Sequence, residues 1–414
     1  MAAQHGNIID FISNPEVILA PPLENVKVVD FTHLLPGELT SSVLTDLGAH
    51  VTRVEKLKPG LAQFLPPIVK GESLYFWSVH RDEKRIAVDL KSERALEIVQ
   101  RIIKDADVLV ENFRPGVMGR LGLGYGKLHK INPRLIYCSI SSYGQNSTYS
   151  QRPGHDVNLQ AETGVMHLSR SAEGVPQMPG TLLSDFMSAM LGSISILAAL
   201  HERERTGKGR HLDISMFDSV LWTQCLAATS SLYTGSEPQE ADPRYRQELA
   251  NYNVFKCKDG RYIAAAPLEP QFWEIFCKTL GRDDLLNVFA FGPNVKLRDD
   301  LAAEFQKKTM AEWVDQFRDA ECCISPVNTI QEALQFIPAK ERALVQNLIH
   351  PVLGEVPQLR TPLPFDRKHG ADVDARTDVA ASTRELLEEL GYDEQEIESL
   401  IEDRIVPAKQ KIKN

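Results

Sequence analysis

The 414-residue sequence lacks the charge and cysteine patterns of several protein classes. Its 46 Lys and Arg residues are outnumbered by 56 Asp and Glu, which leaves a net charge of −10. Without a basic excess, a nucleic-acid-binding surface is not expected. None of the six cysteines forms a C-x-x-C pair, and the adjacent Cys322 and Cys323 fit neither a zinc site nor a disulfide framework. We therefore expect free thiols in a reducing cytosol and no metal.

Segments that would address the chain to a membrane are also lacking. Residues 1–23 have no basic region followed by an apolar run, which a secretory signal requires. The most apolar later stretch, 187–200, is shorter than the ~20 residues that span a bilayer. The sequence therefore predicts a cytoplasmic protein without a membrane partner.

A glycine-rich nucleotide fingerprint is missing. The first strand–helix–strand pattern ends in Glu55, as a dinucleotide-binding domain would, but its turn offers only Gly37. A backbone without G-x-G-x-x-G cannot approach a pyrophosphate as closely. Residues 122–127 (GLGYGK) follow a helical pattern, and Leu128 stands where a Mg²⁺-binding Ser or Thr would be. These patterns disfavour NAD, FAD and a phosphate loop, and we expect no bound cofactor.

Alternating strand and helix patterns predict an α/β fold. We expect strands at 26–31, 51–55, 108–110, 135–139 and 211–215, and helices at 38–47, 92–105 and 184–205. Such alternation is typical of a parallel, Rossmann-like sheet with helices on both faces.

The length predicts two domains, because one ordinary core rarely serves so long a chain. Polar, proline-containing residues 235–245 mark the boundary, and a hairpin at 253–265 opens a smaller α+β unit. The predicted parts are an arm at 1–23, a large domain at 24–234, a small domain at 246–337, and a segment at 338–414 with a helix at 382–402.

Three acid–base side chains are candidates for chemistry. Asp185 lies at the start of the long predicted helix, where free N–H groups and the helix dipole favour a carboxylate, so a helix cap explains it more simply than a reaction does. His155, in RPGHDVN, lies at a second helix start, either facing Asp185 across a cleft or serving a structural role. Glu269, in LEPQF, is a surface acid by default.

Several motifs in the same order resemble the family III CoA-transferase and α-methylacyl-CoA racemase superfamily. They are VVDFTH at 28–33, DLGAHV at 46–51 followed by VEK at 54–56, ADVLVENFRPG at 106–116 and ILAALHERERTGKGRHLDISMFD at 196–218. The resemblance extends from about Leu23 to about Phe365. It implies a large domain to which the C-terminal segment returns, a small domain, and an interlocked homodimer or a pair with a homologous subunit.

The resemblance also implies roles for individual residues. Asp185 would be the catalytic carboxylate, and coenzyme A, as a substrate, would contact Leu34, Lys56, Asn112, Phe113 and Arg120. Where the family has Asn/Arg-Gly-Lys-Arg/Lys-Ser, this chain reads RDEKR at 81–85. The acid Glu83 replaces a base there, so Lys84 or Arg85 would take over its phosphate contact.

Three functions follow from this resemblance. A CoA-transferase would use Asp185 as the nucleophile that moves CoA from an acyl-CoA to a carboxylic acid. A racemase would exchange the α-proton between His155 and Asp185, with Glu269 orienting His155. The sequence FMSA at 186–189 replaces the glycine-rich turn of racemases, which favours the transferase. The third function is that of a non-catalytic subunit in a heteromeric transferase.

Overall fold

The computed structural model describes residues 20–171, 173–238, 242, 244, 248–288, 292–365, 373–375 and 377–408. Its contacts divide the chain into two compact units. The first contains residues up to 159, 182–220 and those from 343 onward, and the second contains 160–181 and 221–342. The predicted small domain at 246–337 lies within the second unit. Most of the predicted N-terminal arm and the basic C-terminal end lie outside the described residues.

The strands, in chain order, belong to four sheets. They are β1 (Lys27–Asp30), β2 (His50–Glu55), β3 (Ile68–Val69), β4 (Glu72–Ser73), β5 (Lys84–Ala87), β6 (Val108–Glu111), β7 (Ile136–Ser141), β8 (His211–Ser215), β9 (Asn253–Lys256), β10 (Tyr262–Ala265), β11 (Ile324–Pro326), β12 (Val345–His350), β13 (Gly354–Leu359) and β14 (Val373–Asp374).

The central sheet of the first unit has six strands in the order β5-β2-β1-β6-β7-β8. Every neighbouring pair in it is parallel, which confirms the predicted α/β class. The chain runs outward from β1 to β2 and β5 on one side, and from β6 to β8 on the other. In such sheets, ligands bind beyond the carboxyl ends of the strands where the order reverses. That position lies between β1 and β6.

Helices cover both faces of this sheet, as predicted. One face packs against helix Glu93–Lys104 and two C-terminal helices, Val379–Glu389 and Glu394–Glu402, through buried residues that include Ile98, Leu109, Leu387 and Leu400. The other packs against helices Leu35–Asp46 and Leu183–Thr206 through Leu44, Val110, Ile140 and Ile196. Further helices in or bordering this unit are Leu74–Trp77, Val117–Arg120, Tyr125–Ile131, Asp156–Glu162 and Met216–Trp222.

The long helix Leu183–Thr206 is apolar enough, by length and composition alone, to cross a membrane. Its Ile196, Ala199 and Leu200 instead belong to the core beneath the parallel sheet. The helix ends at Gly207, whose φ of 68° is the left-handed conformation that commonly follows a helix. It therefore serves as a core helix of the first unit.

The second unit contains the predicted hairpin. Strands β9 and β10 pair antiparallel, β10 also pairs with β11, and Gly260 turns the hairpin at φ 79°. Its described helices are Val165–Leu168, Cys225–Thr234, Pro270–Leu280, Val295–Phe305, Met310–Gln316, Ile330–Gln335 and Ile337–Glu341. Their core is aromatic, with Trp273, Phe276, Phe305 and Trp313 almost fully buried.

Three local predictions need correction. The helix predicted at 382–402 is two helices, because Gly391 takes φ 86° and Asp393 starts a new helix with a capping box. The first helix begins at Leu35, three residues early, since its Pro36 fits a first turn. Residues 84–87, where no strand was expected, form the edge strand β5.

Candidate active site

Asp185 lies in the first turn of the long helix but does not cap it. The residue at the cap position is Leu182, and no side chain forms a cap hydrogen bond there. Among the described residues, none donates a hydrogen bond to the Asp185 carboxylate or forms an ion pair with it. The side chain is partly exposed. The helix-cap explanation therefore fails, and this carboxylate has no evident structural role.

The electrostatic surroundings make Asp185 unusually basic. Burial and, secondarily, the nearby Asp156 carboxylate raise its pKa from 3.8 to about 7. Asp156 is itself buried and accepts hydrogen bonds from the Ser184 backbone N–H (2.8 Å) and hydroxyl (3.0 Å). These bonds join the starts of helices Asp156–Glu162 and Leu183–Thr206.

His155 immediately precedes the first of these two helices. Its backbone N–H donates to Asn158 Oδ1 at 3.1 Å, and its side chain is exposed. The Asp156–Ser184 contacts thus bring the helix starts that carry His155 and Asp185 together. Glu269 belongs to the second unit, where it precedes helix Pro270–Leu280 with an exposed side chain and makes no cap hydrogen bond.

A cavity of about 390 Å³ opens in the first unit beyond the carboxyl ends of β1 and β2. Leu34, after β1, and Lys56, after β2, both line it, so the structure brings these two predicted CoA contacts together. Leu34 has φ 67°, an uncommon conformation for a residue with a side chain. The full lining is His33, Leu34, Glu38, Arg53, Glu55, Lys56, Lys58, Pro59, Gly60, Leu61, Ala62, Gln63 and Phe76.

Asn112 and Phe113, which follow β6, contact His33, and His33 lines the cavity. Asn112 Oδ1 accepts from the His33 N–H (2.8 Å), its Nδ2 donates to the His33 carbonyl (2.6 Å), and the Phe113 ring meets the His33 ring edge-on at 5.1 Å. Burial, Lys56 and Arg53 lower the pKa of His33 to about 4, so its ring is neutral at pH 7. Arg120 is exposed at the end of helix Val117–Arg120.

The residues of the unusual RDEKR segment have protein partners. Lys84, on β5, pairs with Glu389 of a C-terminal helix. The Arg85 guanidinium is buried, donates to Glu55 at 2.9 and 3.0 Å, and lies 5.3 Å from the centre of the Phe76 ring. Arg85 thus helps to hold Glu55 and Phe76, two residues that line the cavity, in position.

Two features of the site carried no signal in the sequence. Tyr75, in the short helix Leu74–Trp77, has its pKa raised to about 12 by burial and by the carboxylates of Glu38 and Asp185. Its phenol therefore stays protonated near both acids. The second feature is a buried charge network in which Arg53 Nη1 pairs with Asp30 (3.0 Å) and Nη2 with Glu38 (2.8 Å).

Comparison with known proteins assigns the family. The model of CoA-transferase family III matches residues 23–376. This chain belongs to that family, as its motifs implied.

Two relatives represent different reactions. The chain is 32% identical over 391 residues to the succinyl-CoA:glutarate CoA-transferase of Mus musculus, covering 92% of this chain and 89% of the relative. It is 34% identical over 396 residues to the α-methylacyl-CoA racemase of the same organism, covering 93% and 97%. A CAIB/BAIF family protein from Brucella suis has a similar crystal structure, with a TM-score of 0.77, 29% identity, and 89% and 99% of the two chains covered.

Proposed function

We propose that this chain is a CoA-transferase that carries CoA on Asp185 between an acyl-CoA donor and a carboxylic acid acceptor. The observation that carries the proposal is the state of the Asp185 carboxylate, which is partly exposed, of raised basicity, and without a hydrogen-bond partner among the described residues. A carboxylate that stabilises nothing in the fold is available for a reaction.

The reaction begins when an Asp185 oxygen attacks the thioester carbonyl carbon. The C–S bond breaks, leaving a mixed anhydride and CoA thiolate. The thiolate then attacks the aspartyl carbonyl carbon and expels the donor acid as its carboxylate, which leaves CoA on Asp185 as a thioester. The acceptor carboxylate repeats both steps in reverse and regenerates Asp185. With its pKa near 7, Asp185 is a stronger nucleophile than an ordinary carboxylate and still about half ionised at pH 7.

The cavity beyond β1 and β2 is the proposed CoA site. Leu34 and Phe76 supply apolar contacts, and exposed Lys56 and Lys58 supply positive charge for phosphate oxygens. Asn112 and Phe113 hold the His33 loop against this cavity. In this proposal Lys84 and Arg120 provide further charge at the surface, and Arg85 acts through Glu55. We further propose a cytoplasmic homodimer.

Racemisation is the second candidate. The Asp156–Ser184 contacts favour it, because they join the helix starts that carry His155 and Asp185. In that mechanism one of the two residues removes the α-proton of the acyl group and the other returns it.

One experiment separates the candidates. The purified chain is incubated in D₂O with an acyl-CoA, with and without an isotope-labelled acid. Transfer of CoA to the labelled acid, without deuterium at the α-carbon, supports the transferase. Deuterium incorporation without an acceptor acid supports the racemase. Turnover by the chain alone excludes a non-catalytic subunit, and an active Asp185→Asn variant contradicts the proposal.

Trapping locates the intermediate. Hydroxylamine added during turnover would convert an aspartyl thioester at residue 185 into a hydroxamate that mass spectrometry detects. We expect the modified peptide only with acyl-CoA present, and no modified peptide from Asp185→Asn.

A further inference from the structure

Glu38 is a buried carboxylate with one unsatisfied oxygen in the wall of the cavity. Its side chain is 1% exposed. Oε1 accepts from Arg53 Nη2 at 2.8 Å and lies 3.6 Å from His80 Nε2. Oε2 has no hydrogen-bond partner among the described residues. Because buried polar atoms are nearly always satisfied, an unpaired carboxylate oxygen on a residue that lines a cavity points to a ligand that supplies the missing donor.

A network behind Glu38 keeps it ionised. His80 Nδ1 lies 2.8 Å from Glu83 Oε1, and His80 stacks on Phe76, which also lines the cavity. Burial alone would lower the pKa of His80, but Glu83 and Glu38 raise it above its usual range. Burial would likewise raise the pKa of Glu38, but His80 and Arg53 hold it at about 2. Glu38 therefore stays ionised in the cavity wall, with Arg53 and His80 as its cationic neighbours.

Glu38 is also electrostatically linked to the reacting carboxylate. After burial, Glu38 and Asp185 are the two groups that raise the pKa of Tyr75. Because both carboxylates act on the same phenol, Glu38 and Asp185 both lie near Tyr75.

We propose that Glu38 selects the ligand of this cavity by accepting a hydrogen bond from an uncharged N–H or O–H group of the bound acyl-CoA and repelling a carboxylate. This inference rests on the proposed acyl-CoA function. The donor is either an amide N–H of the pantetheine arm, common to all CoA thioesters, or a hydroxyl on the acyl group. In the second case, acyl groups that end in a carboxylate are poor substrates.

Binding measurements on Glu38→Gln distinguish the two candidate hydrogen-bond donors, the pantetheine amide and the acyl hydroxyl. Full-length Asp185→Asn, in which acyl transfer is blocked, is titrated calorimetrically with CoA, butyryl-CoA, 3-hydroxybutyryl-CoA and succinyl-CoA, with and without Glu38→Gln. If the pantetheine arm is the donor, all four ligands bind about tenfold more weakly to Glu38→Gln. If the acyl hydroxyl is the donor, only 3-hydroxybutyryl-CoA weakens, and succinyl-CoA binds more tightly.

Asp46→Asn is the matched control. It removes a mostly buried carboxylate at the other end of the helix that carries Glu38, one that pairs with Arg81, and residue 46 does not line the cavity. We expect its affinities to stay within about twofold of the parent. The inference is overturned if Glu38→Gln leaves all affinities unchanged, or if Asp46→Asn reproduces its losses. If no CoA thioester binds the parent protein, the proposed function fails as well.

Discussion

Replacing Asp185 with Asn is expected to abolish activity and, at the same time, to stabilise the fold. In the folded chain, burial and Asp156 disfavour the ionised carboxylate and raise the pKa from 3.8 to about 7. At 1.36 kcal/mol per pKa unit, that shift corresponds to ~4 kcal/mol. Because Asp185 is partly exposed, solvent screens the interaction, and we expect a gain of ~1–2 kcal/mol in Asp185→Asn.

The pH dependence of this gain has a definite sign. Since the folded-state pKa is raised, the folded chain binds more protons than the unfolded chain between pH 4 and 7. The penalty for Asp185 is absent below its unfolded pKa, grows as pH rises toward about 7, and is constant above it. The gain in Asp185→Asn should therefore be full at pH 8 and small at pH 4.

Urea unfolding at both pH values measures this effect. Asp218→Asn is the control, because Asp218 is an exposed acid in the first turn of another helix, Met216–Trp222. We expect no comparable pH-dependent gain from it. If Asp185→Asn destabilises the chain at pH 8, Asp185 has a stabilising partner and the reasoning is refuted.

Three further predictions concern the site. Transfer activity should rise with pH through about 7, because only the ionised Asp185 attacks; a flat profile from pH 5 to 8 would contradict this. Lys56→Ala should raise the KM for acyl-CoA about 3–10-fold with little change in kcat, and the difference should shrink in 0.5 M salt, as steady-state kinetics would show. Gly37→Ala should cost ~1–3 kcal/mol in a urea titration, because its new Cβ would lie 2.3 Å from the Thr32 Cβ; an unchanged midpoint would show that the loop relaxes.

Local patterns in the sequence were sufficient for five of the six strands of the central sheet. Buried parallel strands are short and mostly apolar, as in β6 and β7, where every residue is buried. The edge strand β5 carries Lys84 and Arg85 and lacks this pattern. Its charged side chains find partners from distant segments, which no local pattern reveals.

The position of Asp185 at a helix start follows from the apolar run after it, but its catalytic role and the CoA contacts of Leu34 and Lys56 came only from the family resemblance. The structure shows that Leu34 and Lys56 follow two neighbouring strands. Tyr75 could not be predicted, because its significance comes from two carboxylates at positions 38 and 185. Distances between segments so far apart in the sequence depend on packing alone.

The acid at position 83 can be explained by the same packing. Glu83 stands where the family motif has a base, and the sequence therefore suggested that a phosphate contact is lost. In the structure, Glu83 is buried and faces His80, whose opposite nitrogen faces Glu38, and Glu38 in turn pairs with Arg53. Each charge thus has an oppositely charged neighbour, and a base at 83 would meet the protonated His80 instead of a phosphate.

Restoring a base should therefore damage the protein. Glu83→Lys would leave His80 unpaired on one side and bury a second cation near Arg53 and Arg85, which are among the charges that lower the pKa of Glu83. We expect a loss of ~3–5 kcal/mol in the free energy of unfolding, measured by urea titration. Glu24→Lys, the same change at an exposed position, should have almost no effect. A Glu83→Lys variant that kept its stability and bound CoA more tightly would contradict this reasoning. Residue 83 would then belong to the phosphate site, and its pairing with His80 would not explain why an acid occupies this position.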